Sequence, residues 1–192
     1  ASNRVPDCTN NGCLGLASKD MARHIAYDVG AAGLVRALAD QLDSPAVLSN
    51  FSRLVIDPNR GEDDPTLLMK LYDGTLIPAN RHADADEVER RLDALHRPYH
   101  DALTRVIAAR PQPVILSIHS FTPQLAGRPS RPWHVGILSA EDRRLANPLL
   151  ARLMAEDDLC VGDNEPYLGK LPGDAMDRHA LQHDRLHVLV EV

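Results

Sequence analysis

Three stretches of the chain place chemistry-bearing side chains where strands would end. In "PVILSIHSFTP", residues 113–123, an apolar run gives way to His119, Ser120 and Thr122. A neutral imidazole so placed can ligate zinc or act as a general base, and a satisfied histidine at a sheet edge would look the same. In "SRLVIDPNR", residues 52–60, Arg53 precedes alternating apolar residues, and Asn59 and Arg60 follow them. A guanidinium can meet both oxygens of a carboxylate through two N–H groups, which suits an anionic substrate. A surface ion pair of Arg60 with Glu62, Asp63 or Asp64 is the plainer alternative, and Asp57 fits a role in holding Arg60 or capping the turn. In "VLVEV", Glu191 is a lone carboxylate in an apolar strand. Burial would raise its pKa, as a general base or acid requires, whereas strict alternation would send it to solvent.

Further combinations carry less chemistry. His24 and Asp28 stand at i and i+4 in "HIAYDVGA", as a ligand or supporting pair or simply as a helix surface. The same spacing joins His179 to His183 in "DRHALQHDRLH", next to Arg178, and a polar helix face explains it equally well. There is no H-E-x-x-H, Ser120 is not in a G-x-S-x-G elbow, and there is no phosphate loop. Cys8, Cys13 and Cys160 are odd in number and fit no C-x-x-C spacing, which favours a reducing, cytoplasmic setting over a disulfide framework.

The elements that must position these groups follow from periodicity. Residues 1–18 read as a loop, and 18–43 as a helix with Ser18 as its N-cap. "PAVLS" and "SRLVID" are short, β-branched and turn-bounded, so they read as strands. Residues 58–82, with Pro58, Gly61, Pro65, Gly74 and Pro78, form a long loop of the kind that carries function. The spacing predicts an amphipathic helix over 84–110, kinked or stepped at Pro98. Strands follow at "PVILSI" and "WHVGILS", then a helix interrupted near Pro148. A short strand around Leu159–Val161, a last helix near 174–184 and the strand "HVLVEV" complete the chain. Helices alternating with strands make an α/β layer structure around one sheet, with its ligands beyond the carboxyl ends of the strands.

Composition limits the alternatives. At 192 residues and 44% hydrophobic, the chain suits one domain, and with only 4% aromatics its core must be built from Leu, Val, Ile and Ala. A net charge of −6 with mixed signs gives no basic footprint for nucleic acid. No apolar run approaches a membrane span, and no signal-peptide pattern opens the chain.

"ASNRVP", "RHIAYDVGA", "SRLVIDPNR", "IHSFTP", "RPWHVGIL", "GDNEPY", "DRHA" and "HVLVEV" occur in this order along essentially the whole chain. Together they resemble the N-formylglutamate amidohydrolase family, in the branch with "HSFTP". The resemblance implies one domain over 1–192 with a mixed β-sheet flanked by helices, similar to zinc carboxypeptidases and aspartoacylases (a phosphorylase/hydrolase-like fold). It implies a zinc (Zn2+) amidase acting on a small-molecule N-acyl amino acid, N-formyl-L-glutamate first. His119 then resembles the metal histidine, and Glu191 the glutamate that activates water. Asn59 and Arg60 resemble the pair gripping the substrate carboxylate, with Arg53 nearby. Arg178 and His179 match an Arg-His pair with a part in orienting the amide or a second carboxylate, His179 counting among the catalytic groups. Tyr167 resembles a tyrosine that closes over substrate. In the family an acidic residue and a zinc-binding histidine precede "ASN", and an arginine follows the last strand. The chain therefore reads as incomplete at both ends, with Asn3 as the substitute metal donor. Two rivals stand beside this reading: a related amidase or peptidase for another N-acyl amino acid, and a non-catalytic carboxylate-binding protein on the same fold.

Overall fold

Apolar on both faces, "HVLVE" becomes an inner strand of a four-stranded mixed sheet. The structure, a computed structural model, describes residues 14–192. The sheet contains β3 (Ile115–His119), β4 (Val135–Leu138), β5 (Val161–Asp163) and β6 (His187–Glu191), in the order β3-β6-β4-β5. β6 runs parallel to β3 and antiparallel to β4, and β5 is parallel to β4. Val188 packs with Ile137 against Ala146 and Leu150 of α6 (Ala146–Leu153) on one face. On the other, Leu189 and Leu138 pack against Met176 and Ala180, the former in α7 (Ala175–His179). Burying each of these large aliphatic side chains is worth about 1.5–3 kcal/mol. Because both faces are covered, alternation along β6 does not export Glu191 to solvent. It sits with Leu189 and His187 on the α7 face.

The expected architecture, a mixed sheet flanked by helices, is therefore observed. Several local expectations give way. Residues 18–43 form two helices, α1 (Ser18–Met21) and α2 (Ala31–Gln41), separated where Gly30 takes φ 81°. Ala17, not Ser18, is the N-cap of α1. "SRLVID" is a turn rather than a strand, with Val55 N–H donating to the Ser52 carbonyl. Side chains replace the missing ladder: Asn80 Nδ2 donates to the Leu54 carbonyl and Arg91 NH1 to the Val55 carbonyl. The segment is still buried, because Leu54 and Ile56 enter two different apolar clusters. "PAVLS" forms only an isolated bridge at Ser49.

Within 58–82 the chain makes a hairpin of β1 (Leu71–Tyr72) and β2 (Thr75–Leu76), then the short helix α3 (Pro78–Arg81). Asp73 and Gly74 take φ 42° and 75° at its turn, as a two-residue hairpin loop demands. Residues 85–108 comprise α4 (Ala85–Arg91), a π-helical turn (Leu92–His96) and α5 (Arg97–Ala108). The step at Pro98 is thus a π-turn just before it, where a residue without an N–H costs least. The short strand lies at 161–163 rather than 159–161. The last helix ends at His179, and a 3-10 turn (Leu181–His183) follows it. Among the described residues no helix is long and apolar enough to cross a membrane.

One glycine positions the sheet's functional end. Gly136 pairs with Glu191, and a Cβ on it would sit 2.0 Å from the Glu165 carbonyl oxygen. The Glu165–Pro166 loop therefore crosses directly over β4. Gly136→Ala is expected to destabilise the protein by at least about 2 kcal/mol through this backbone clash. Urea unfolding of both proteins measures it, and an unchanged midpoint would refute the close approach.

Candidate active site

His119 and Glu191 are brought together by strand register. They are partners at the carboxyl ends of the parallel pair β3 and β6. His119 is 8% exposed and Glu191 7%, so neither end projects freely into solvent. His119 Nδ1 lies 2.9 Å from Asp28 Oδ2, across 91 positions of sequence. Asp28 comes from the break between α1 and α2 and is itself buried. His24 does not share this contact; its Nε2 faces Asp73 at 3.6 Å.

A line of charge extends from this pair. Arg53 NH1 stands 3.7 Å from Asp28 Oδ1, while its NH2 and Nε donate to Asp57 Oδ2 at 2.7 and 3.2 Å. Asp57 in turn accepts the Asn59 N–H at 2.9 Å, so it caps the turn and holds Arg53 rather than Arg60. Burial alone would raise the pKa of Asp28; the His119 ring and Arg53 outweigh it and hold the carboxyl below its ordinary range. Burial dominates at His119 and pushes its pKa down, towards the neutral imidazole. Arg53 is held firmly charged: burial works against it, and Asp57 foremost overcomes that.

Glu191 behaves in the opposite sense. Burial first, and then the Asp28 charge, push its carboxyl up to about 8, against the opposing pull of Arg53 and Arg131. Among the described residues its Oε2 is buried with no hydrogen-bond partner. Such an orphan acceptor costs roughly 1–3 kcal/mol and calls for a ligand, water or ion as its complement. Beside it, Arg131 NH1 donates to the Tyr167 hydroxyl at 3.1 Å and to the Thr122 carbonyl at 3.0 Å. The Arg131 guanidinium also lies 4.9 Å over the Tyr167 ring, and Glu191 adds to the upward shift of the Tyr167 pKa. Tyr167, 40% exposed, thus forms part of the wall near Glu191.

Asn59 and Arg60 follow Asp57 in the turn. Arg60 Nε donates to Thr66 Oγ1 at 3.0 Å and its NH1 to the Asn59 carbonyl at 2.8 Å. Among the described residues Arg60 makes no ion pair within 4 Å. Glu62 pairs instead with Arg97 at 2.8 Å, and Asp64 accepts from Thr66. Asn59 Oδ1 is a second buried acceptor with no partner among the described residues. Arg178 stands 3.9 Å from Glu62, and His179 is bonded to His100 rather than to His119 or Glu191. Asn3 lies outside the described residues.

Arg131, His96 and His100 escaped the sequence reading, and Asp28 entered it only as a ligand or supporting partner of His24 or as helix surface. The actual partner of Asp28 is far away in sequence. An apolar groove between α2, α5 and β3, lined by Leu38, Val106, Leu116 and Met176, includes neither His119 nor Glu191 in its walls. It lacks the convergent polar groups of the His119 end.

The model of the N-formylglutamate amidohydrolase family matches residues 1–192. The chain belongs to the N-formylglutamate amidohydrolase family. The structure of gene product Atu2144 from Agrobacterium tumefaciens is similar to it, with a TM-score of 0.90 at 34% identity over 98% of this chain and 76% of that one. N-formylglutamate amidohydrolase from Ralstonia eutropha JMP134 shares the fold, with a TM-score of 0.62 at 21% identity over 85% of this chain and 69% of that one. No curated protein matches the chain. Membership in an amidohydrolase family points to hydrolysis of a linear amide in a small molecule.

Proposed function

We propose that this chain hydrolyses the amide of an N-formyl amino acid, N-formyl-L-glutamate in the first place, to formate and glutamate. The observation that carries the reading is the buried Oε2 of Glu191, which has no hydrogen-bond partner among the described residues and is held by register beside the His119–Asp28 pair. Glu191 takes a proton from the attacking water and delivers it to the leaving nitrogen. The C–N bond breaks as the new C–O bond forms, and the amine leaves neutral. Its high pKa suits both halves of that exchange. A cation bound beside it would favour the charged, proton-accepting form.

The donor types suit a divalent ion such as zinc. His119 Nδ1 and Asp28 Oδ2 converge within 2.9 Å, and without the intervening proton their lone pairs would face each other. His119 and Asp28 would hold the ion; among the described residues no group of three His, Cys, Asp or Glu side chains does so. The chemistry such an ion supplies when bound is polarisation of the formyl carbonyl and acidification of water. Arg53, bridging Asp28 and Asp57, fixes both carboxylates. Arg60 and Asn59 bind the α-carboxylate and so orient the amide. Arg178 stands on α7 for the second carboxylate, and Tyr167 closes over the substrate with Arg131. The likeness to zinc carboxypeptidases and aspartoacylases rests on the sequence resemblance and belongs to this proposal.

Arg60 provides the test of substrate class. Among the described residues its guanidinium makes no ion pair within 4 Å and donates only to Thr66 Oγ1 and the Asn59 carbonyl, so a substrate carboxylate is its natural complement. Arg60→Lys is expected to lower kcat/KM for N-formylglutamate by roughly 10–100-fold, the range of a hydrogen bond between charged groups. The loss should shrink to under about threefold for 4-formamidobutanoate, which lacks the α-carboxylate. Equal losses on both substrates would remove Arg60 from that contact.

A further inference from the structure

Three histidines outside the Glu191 end form a buried ladder. His96 and His100 are each 1% exposed and His179 is 5% exposed. The His96 and His100 ring centroids are 4.4 Å apart, and the His100 and His179 rings stack at 5.1 Å with 17° between planes. His96 belongs to the π-helical turn, His100 to α5 and His179 to α7. Three imidazoles packed away from solvent are an expensive way to fill a core, since each brings two polar nitrogens that need partners.

Their hydrogen bonds show what they hold. His96 Nε2 lies 3.0 Å from the Arg60 carbonyl oxygen. A carbonyl only accepts, so His96 carries its hydrogen on Nε2. His100 Nδ1 lies 2.8 Å from His179 Nε2, and burial pushes the His100 pKa down to about 3, so its ring is neutral and one of the two histidines donates to the other. Among the described residues His96 Nδ1 and His100 Nε2 have no hydrogen-bond partner. The carbonyl that His96 addresses belongs to the turn Pro58–Asn59–Arg60. That turn is pressed against the start of α7 as well: a Cβ on Gly61 would lie 3.3 Å from Gly173 Cα. Neighbouring charges do not do this work. Glu62 is taken by Arg97, and Arg178 reaches it only at 3.9 Å.

We infer that His96 is a positioning residue for the carboxylate grip. It clamps the backbone of the Asn59–Arg60 turn through the Arg60 carbonyl, and its ring contact with His100 and the His100–His179 bond tie that clamp to the helix bearing Arg178. The π-turn is the device that makes this possible. It inserts a wider turn between α4 and α5, ahead of Pro98, so that the His96 ring meets His100 while its Nε2 addresses the Arg60 carbonyl. His179 acts through His100, not on the reacting atoms. This rests on the function proposed above, since it assigns the ladder to substrate alignment.

The clamp makes its own prediction for the N–H at His96. His96→Gln can place an amide N–H where Nε2 stands; His96→Asn places it near Nδ1, short of the Arg60 carbonyl; His96→Leu has none. Steady-state kinetics of the four proteins are measured with N-formylglutamate and with 4-formamidobutanoate, after melting curves confirm folding. Asn and Leu variants are expected to raise KM for N-formylglutamate about 10-fold or more, with kcat within about threefold and 4-formamidobutanoate little affected. Gln should recover most of the loss. If the Leu variant does not fold, the Gln and Asn pair carries the comparison alone. Equal losses on both substrates, a fall in kcat alone, no loss, or a Gln variant no better than Asn overturns the clamp while leaving the proposed activity standing. A wild-type protein inert towards N-formylglutamate overturns the activity itself, and the clamp with it.

Discussion

Glu191→Gln is expected to lower turnover of N-formylglutamate by roughly 10²–10⁴-fold, the usual share of a positioned general base. The substitution preserves shape and removes only the ability to accept a proton. Stability should not fall with it. Among the described residues one oxygen of the buried carboxyl has no partner, and burial disfavours its charged form, so a neutral amide of the same shape removes no favourable ion pair. Activity down with stability equal or higher is the pattern of a group kept for chemistry. A simultaneous loss of both, or near-normal turnover, would return Glu191 to a structural role.

The second large effect concerns metal. Zinc is expected at about one ion per chain in the wild-type protein, with affinity falling at least about 100-fold in His119→Ala and in Asp28→Asn. That exceeds the 10–100-fold typical of losing an outer partner, because both side chains would hold the ion directly. Glu191→Gln should keep its zinc. Elemental analysis after dialysis against a weak chelator reads all four proteins. Full zinc in His119→Ala would take that histidine out of the site, and full zinc in Asp28→Asn would leave Asp28 as no more than an orienting partner.

What the sequence displayed depends on how local each signal is. β3, β4 and β6 were legible because apolar runs bounded by turn residues report burial directly, and Glu191 stood out as the one carboxylate in such a run. "SRLVID" misled because β-branched residues report burial as readily as sheet pairing. Its carbonyls are satisfied by Asn80 and Arg91, 26 and 36 positions away. The same distance problem hid the partner of Asp28, which is His119 across the fold rather than His24. His96 and His100 fall inside the stretch read as one amphipathic helix over 84–110 and carried no signal of their own. A π-turn has no residue signature that periodicity detects, and their partners Arg60 and His179 lie on other elements. Arg60 shows the converse. Its ambiguity between ion pair and grip was irreducible in sequence; the fold engages Glu62 with Arg97 and Asp64 with Thr66, and the grip is the reading that Arg60→Lys kinetics test.

The central claim is that this chain cleaves the formyl amide of an amino acid. The direct measurement is product stoichiometry: zinc-supplemented protein is incubated with N-formyl-L-glutamate, and formate and free glutamate are quantified together. The account predicts equimolar release of both, reduced roughly 10²–10⁴-fold by Glu191→Gln. Binding of N-formylglutamate without release of either product would contradict it, and would mark the site as one that holds a carboxylate without hydrolysing the amide.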